Sequence, residues 1–444
     1  MRLAWYALTI FAAVISQIAR ADDEEPRYFI PQLLDAQYTL ISQYQSPITS
    51  PYESALSLRG QGDEERSHTF GAYFGLPLTN TLQFYFDVEM FKGEAVSGGT
   101  GLGGGANGDV VHAGTANLGK RAYVARRYLR YLIPLDNDTH DVERAQDQLA
   151  GKEATRHLEF KLGKTAVSDD FDKNRYADSA RTQFLNVALA NNVAWDFAAD
   201  TRGYTNGFLA AYISPTWALR YGVYLMPAYA NGQTLEWPIG RARGEQVELT
   251  WQPGGTDAWA LRLLAFRNIA RMGIYRDAIE IAEATATTPD IRADDRDGRH
   301  KYGFGANAEY PIADDGETGL FARAGWNDGR TESFAFTEVD RTMIASAQLS
   351  GTHWGRKDDH IAIGATSNAL SSDHRDYLAL GGQGFLLGDG RLNYAQERAL
   401  ELQYRAHVID HVEITPDFEF IHAPGYNKDR GPARFLGARL HLEM

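Results

Sequence analysis

The chain has no cysteine, which excludes disulfides and thiolate metal sites. It has no surplus of positive charge. Lys and Arg number 44 against 58 Asp and Glu, for a formal net charge of -14 over 444 residues. Nothing forms a basic face able to displace counterions, so no nucleic-acid partner is expected. Beyond the N-terminus there is no apolar run of the roughly eighteen residues a membrane helix needs. There is no G-x-S-x-G, no H-E-x-x-H and no P-loop. These absences leave a soluble exported protein or a β-barrel, whose alternating strands produce no hydropathy peak.

The N-terminus is a targeting segment. Met1-Arg2 is a short positive start, Leu3 to Ile15 is apolar, and Ala19-Arg20-Ala21 is an A-x-A cleavage site. A signal peptide over 1–21 follows, with the mature chain starting near Asp22. Losing Arg2 and Arg20 takes the charge from -14 to -16.

What is present is alternation. Ala122 to Leu135 reads AYVARRYLRYLIPL. Tyr123, Ala125, Arg127, Leu129, Tyr131 and Ile133 share one face of a strand, apolar except for Arg127. Val124, Arg126, Tyr128, Arg130 and Leu132 share the other, basic and aromatic. The same rule governs Ala36 to Tyr44, Ser67 to Leu76, Leu82 to Met90, Leu158 to Leu162, Leu219 to Leu225, Val247 to Trp251, Trp259 to Ala265, Phe304 to Tyr310, Leu320 to Trp326, Leu400 to Val408 and Leu436 to Met444. Most connections alternate between long and short. Asp136 to Thr155 is long where a turn is due, and Asp328 to Glu332 is short where a loop is due. The pattern predicts an all-β fold: a transmembrane antiparallel up-and-down β-barrel of about 16 strands, with long extracellular loops and short periplasmic turns. Residues 22–444 would form one barrel domain. A barrel that wide leaves a water-filled interior. A stack of soluble sandwiches would have bulkier inner faces and a more uniform Lys/Glu/Thr exterior.

A wall that selects among polar solutes needs planar or charged hydrogen-bonding groups beside aromatic platforms, and Arg forks suit paired oxygen atoms. Arg126, Tyr128 and Arg130 supply these on one strand, and Arg220 and Tyr224 on another. Glu159, Lys161, Glu309 and Arg323 add charges of both signs. Val167 to Arg202 is the candidate inward-folded loop, carrying Arg181, Trp195, Asp196, Asp200 and Arg202. Trp195 is either a stacking surface or packed against the wall. Asp170-x-Asp172-x-Asn174 opens like a calcium loop, but Arg175 stands at the sixth position and Arg181 at the twelfth, so an EF-hand is rejected. A calcium ion at an acidic outer loop stays open. Gly99-x-Gly101-x-x-Gly104 lacks the apolar helix that a dinucleotide site requires. His407 and His411 bracket a turn, not a helix face. No metal site, cofactor or catalytic residue is expected.

Seven stretches, in order, carry a resemblance: VSGGTGLGGGANGD, YVARRYLRYLIPL, FKLGKTAVSDDFDKNRYADSARTQFLN, AWDFAADTRGYTNG, WALRYGVYLMPAYANG, GDGRLNYAQERALELQY and PGYNKDRGPARFLGARLHLE. Together they resemble the carbohydrate-selective porins of Gram-negative outer membranes, the OprB family. The resemblance implies a sixteen-stranded barrel passing small, glucose-like sugars by diffusion through a narrow eyelet lined by arginines and acidic groups. It implies an outer-membrane location among lipid and lipopolysaccharide, and insertion by the barrel-assembly machinery. It leaves association into homo-oligomers open. Two features depart from the family pattern. Arg127 falls on the predicted lipid face, where the motif carries a small residue, and Met444 stands where an aromatic is usual. An anion or organic-acid porin of the same architecture, and an outer-membrane barrel hydrolase, are the alternative readings.

Overall fold

Alternation of polarity closes into a ring. The computed structural model describes residues 28–110, 120–255 and 258–444; the signal segment 1–21 lies outside them. The first strands are β1 (Leu33–Gln45), β2 (Asp63–Pro77), β3 (Leu82–Gly93) and β4 (Tyr123–Pro134). A small hairpin follows, β5 (Thr139–Val142) and β6 (Gly151–Ala154). Next come β7 (His157–Thr165), β8 (Thr205–Ile213), β9 (Trp217–Leu225), β10 (Arg243–Trp251), β11 (Ala260–Met272) and β12 (Arg296–Ala313). The last are β13 (Thr318–Asn327), β14 (Arg341–Ser350), β15 (His360–Ala369), β16 (Glu397–Ile409), β17 (Val412–His422) and β18 (Ala433–Glu443). All but β5 and β6 form one closed antiparallel barrel of sixteen strands, sealed where β1 pairs with β18. Both terminal strands therefore have their outer ends at the turn end of the cylinder.

The two faces differ as the pattern requires. Along β1, Asp35, Gln37, Thr39 and Gln43 are buried inward. Leu162, Leu219, Leu249, Leu263 and Phe304 stand exposed outward, as in a wall whose solvent is lipid. Trp217, Trp251, Tyr131 and Tyr310 are exposed near the turn ends of their strands, where interfacial rings belong.

β4 departs from simple alternation in one respect. β3 and β4 slip register between Phe86/Val88, so Ala125 and Arg126 together face Asp87. Such a bulge places two residues opposite one. Tyr123 and Ala125 consequently point inward, not to lipid, and Arg127 alone of that set's first half points out. Arg127 pairs with Lys164, one residue before β7 ends. At that height a lipid-facing cation costs about 0–1 kcal/mol, against ~2–4 kcal/mol at mid-membrane. The second strand, expected from Ser67, starts four residues earlier, so that the charged run Asp63-Glu64-Glu65-Arg66 opens β2.

The two irregular connections also resolve. The long segment after β4 is the β5–β6 hairpin, which turns up into the barrel from the turn end. Leu149 packs with Leu33, Tyr85 and Tyr128, Arg144 pairs with Asp35, and Glu153 pairs with Arg130. The short segment at Asp328 continues to Asp340 before β14 begins. The expected water-filled interior is largely occupied instead. Residues 166–204 fold inward, and Val167, Phe171, Trp195 and Phe197 form an apolar cluster with wall residues Leu209, Tyr224, Leu264 and Phe266. Short helix α1 (Val187–Ala190) lies in this segment; α2 (Tyr275–Thr285) and α3 (Ser372–Ala379) belong to later outer loops. They meet where Tyr275 stacks on His374, ring centroids 4.3 Å apart.

Candidate functional site: the open side of the barrel interior

The inward loop is held by the wall it covers. Glu401 accepts from the Leu185 and Asn186 amides at 2.7 and 2.9 Å. Arg323 donates to the carbonyls of Leu189, Asp172 and Ala177 at 3.3, 3.1 and 3.1 Å, and Arg439 to that of Ala180 at 2.9 Å. Glu248 and Glu309 accept from the Asp172 and Arg175 amides at 2.7 and 2.9 Å. Coil backbone inside a barrel must find such partners. Asn186 caps α1 by accepting from the Ala188 amide. The glycine-rich segment after β3 closes over the loop. Gly101 sits at φ +86, and a Cβ there would lie 2.2 Å from the Leu58 amide, so the close approach requires glycine.

A cavity of about 590 Å³ is left between this loop, β3, β4, β7 and the hairpin tip. That size is ordinary for a small-molecule site. Two arginines organise it. Arg126 grips Asp169 of the loop by its fork, Nε to Oδ2 at 2.7 Å and Nη2 to Oδ1 at 2.8 Å. It also reaches Asp87 of β3 at 3.2 Å and Asp147 of the hairpin at 3.3 Å. One side chain thus ties wall, loop and hairpin. Arg181 donates to Glu89 and Asp109, both at 2.8 Å. Glu89 further accepts from the hydroxyls of Tyr123 and Tyr204 at 3.0 and 2.7 Å. Arg202 lies 4.1 Å over the Tyr123 ring, and Lys161 donates to Asp170 at 2.5 Å. For Asp169, burial alone would raise the pKa, but the Arg126 charge and hydrogen bonds outweigh it and hold the carboxyl down at about 2. Burial lifts Asp147 above the usual carboxylate range, against the pull of Arg126.

Of the residues singled out in the sequence, Arg126, Tyr128, Lys161, Arg181, Asp200 and Arg202 line this cavity. Arg130 and Glu159 lie on the inner wall outside its lining, bonded to each other at 2.8 Å. Arg220 donates to Thr250 at 3.0 Å, also away from the cavity. Five are displaced from any lining role by burial. Trp195 is 2% exposed, wedged between Phe171 and Phe197; packing against the wall side, not the stacking surface, is what occurs. Tyr224 lies in the same apolar cluster. Arg323 and Glu309 are spent on the loop. Asp196, in the same loop, accepts from the Phe334, Ala335 and Phe336 amides. Asp170, Asp172 and Asn174 serve Lys161, Arg323 and Asn307 respectively. The sequence reading missed Glu89, Asp147, Asp169 and Tyr204. The signal for Glu89 was there: Tyr85, Asp87 and Glu89 alternate on the inward face of β3.

The family model described as carbohydrate-selective porin, OprB family, matches residues 68–444. The chain belongs to that family. Among solved structures it resembles the high-pH structure of Pseudomonas putida OprB, with a TM-score of 0.69 at 14% identity, covering 93% of this chain and 94% of that one. It is also similar to the trimer form of Vibrio cholerae OmpT (TM-score 0.47, 9% identity, 93% and 99% covered) and to the Acinetobacter baumannii channel DcaP (0.48, 8%, 93% and 96%). No curated protein sequence matches. The barrel is thus the transmembrane barrel of an outer-membrane porin that admits small carbohydrates by diffusion. Its loop end is extracellular and its turn end periplasmic. Family and fold are those of a porin channel.

Proposed function

We propose that sugars the size of glucose pass through the cavity between loop 166–204 and the β3–β4–β7 wall, with Arg126, Arg181, Glu89 and Asp169 as the groups that exchange hydrogen bonds with the hydroxyls. The carrying observation is the pairing within the cavity. Each arginine stands against carboxylates, so the wall offers donors and acceptors side by side with little excess charge. That suits a neutral polyol and disfavours an organic acid, which would face Asp169, Glu89 and Asp109. Tyr123, half-buried with Arg202 over one face of its ring, is the aromatic group beside these pairs. The mature chain from Asp22 acts as a single barrel unit after signal removal, is inserted by the barrel-assembly machinery, and sits among lipopolysaccharide with no catalytic role. His441 supports the last point: it is turned inward, 2.9 Å from Thr39 and 3.2 Å from Glu443, away from any ester at the lipid surface. Association of protomers is compatible with this scheme but not needed by it, because the passage is built from one chain.

The test is reconstitution of the purified protein in a planar bilayer with glucose titrated on one side. Stepwise conductance that falls saturably with glucose, and far less with an uncharged polyol too large for the cavity, is the expected result. A bilayer that stays silent sinks the proposal, and so does conductance indifferent to glucose.

A further inference from the structure

We infer that the outer wall across β14 to β18 is a binding site for a phosphorylated glycolipid of the outer leaflet, with phosphates on an arginine arc and an acyl chain in the groove below. This rests on the barrel spanning the outer membrane. The arc is made by Arg341, Arg398, His422 and Arg434, all exposed and all within two residues of the loop end of their strands. The ladders place them level. Arg398 pairs with His422, Arg434 pairs with Phe420 two residues along from it, and Arg341 pairs with Ala369 beside the Ser367–Arg398 pair. With strands about 4.8 Å apart, neighbouring arginines of the arc stand roughly 10 Å apart around the wall.

These arginines differ from others at the same height. Arg243 and Arg267 meet Glu245, and Arg271 meets Asp295, so the rim at β10 and β11 is neutralised. Among the described residues no carboxylate pairs with Arg341, Arg398 or Arg434. Arg398 reaches only the Gln396 side-chain oxygen, at 3.2 Å, and Arg434 lies 6.0 Å from the Phe420 ring. In a chain of net charge -14, three uncompensated guanidinium groups facing the leaflet call for an anion. Directly below them a groove of about 560 Å³ opens on the outer wall. Its floor is Ala345, Ala365 and Leu400, adjacent in the ladders, and Met343 and Phe420 form its sides. Lipid tails are as apolar as this groove, so the groove gives shape and little driving force. The attraction comes from the phosphates, at about fivefold in affinity per arginine near the surface.

Detergent-purified full-length protein, titrated with bisphosphorylated lipid A and followed by native mass spectrometry, tests this. The variant R341Q/R398Q/R434Q should bind lipid A about a hundredfold more weakly, at about fivefold per arginine, while keeping wild-type sugar conductance and a barrel resistant to detergent. A365W, which fills the groove and leaves the arc, should weaken binding by less. Binding of the triple variant within twofold of wild type overturns the inference, as does equal binding of dephosphorylated lipid A. Disulfide dimers of an S367C variant that lipid A does not suppress would assign the groove to a second copy and overturn it too. Loss of sugar conductance in wild type would count against the proposed passage, not against this site.

Discussion

The two halves of the barrel interior use the same residue types in opposite ways. Along β10, β12, β13, β16 and β18, charged side chains end on loop backbone. Arg323, Glu248, Glu309, Glu401 and Arg439 are each bonded to amides or carbonyls between Asp172 and Leu189. Along β3, β4 and β7, charged side chains end on other side chains and border open space: Glu89 with Arg181, Arg126 with Asp169, Lys161 with Asp170. A charge bonded to backbone is a strut. A charge bonded to another charge at a cavity surface can trade that partner for a hydroxyl. Position on the inward face is therefore necessary for contact with a solute and not sufficient.

The comparison breaks most severely at Arg323. Arg323→Ala leaves the carbonyls of Leu189, Asp172 and Ala177 and the Asp172 carboxylate buried without their partner, at a cost of about 3–5 kcal/mol. Loop 166–204 should then leave the lumen part of the time, and single-channel traces should show a noisy open state several-fold larger, with glucose block lost. The packed half also carries a pH dependence. Glu332, in the loop before β14 and 7% exposed, is raised by burial to about 7 from 4.5. Between those values the docked loop keeps a proton that the opened loop has released. Docking therefore weakens as pH rises through that window, by ~3 kcal/mol in all, and is level above it. The protection of the Gly273 amide, which donates to Glu332 at 2.8 Å, should fall from pH 5 to 7.5 once the intrinsic base-catalysed rise in exchange is divided out, and E332Q should remove that fall.

On the open half, Arg126→Gln removes the fork on Asp169 and the links to Asp87 and Asp147. Charge-assisted hydrogen bonds of this kind are worth about 1.5–3 kcal/mol, so the glucose concentration giving half-block should rise roughly ten- to a hundredfold. Arg126→Lys, with charge but no fork, should fall between. The smallest effect sharpens the contrast: Trp195→Phe should leave glucose block within twofold, since that ring lies in the apolar cluster. A large change there would mean the solute path runs through the packed half.

The strands were legible because alternation is a local property, and so were the barrel and its loop asymmetry. Ala125 and Tyr123 were assigned to the wrong face because one bulge shifts the period and leaves no trace in composition. The roles of Arg323 and Glu309 were illegible for a different reason. An inward-facing strand residue reads the same whether it meets water or a loop more than a hundred positions away. Trp195 and Tyr224 were ambiguous on the same ground. The hairpin at Asp136 was visible only as a connection of the wrong length, since its docking rests on single contacts such as Leu149 and Glu153.

The seam between β1 and β18 carries a last implication. The Met444 amide donates to the Ala36 carbonyl at 3.0 Å, and the ladder there runs from Gln37 opposite Glu443 to Gln45 opposite Phe435. The stave made first has no neighbour on one side until the stave made last arrives. Without that last stave the first would turn a row of unpaired amides and carbonyls toward lipid, where no water can satisfy them.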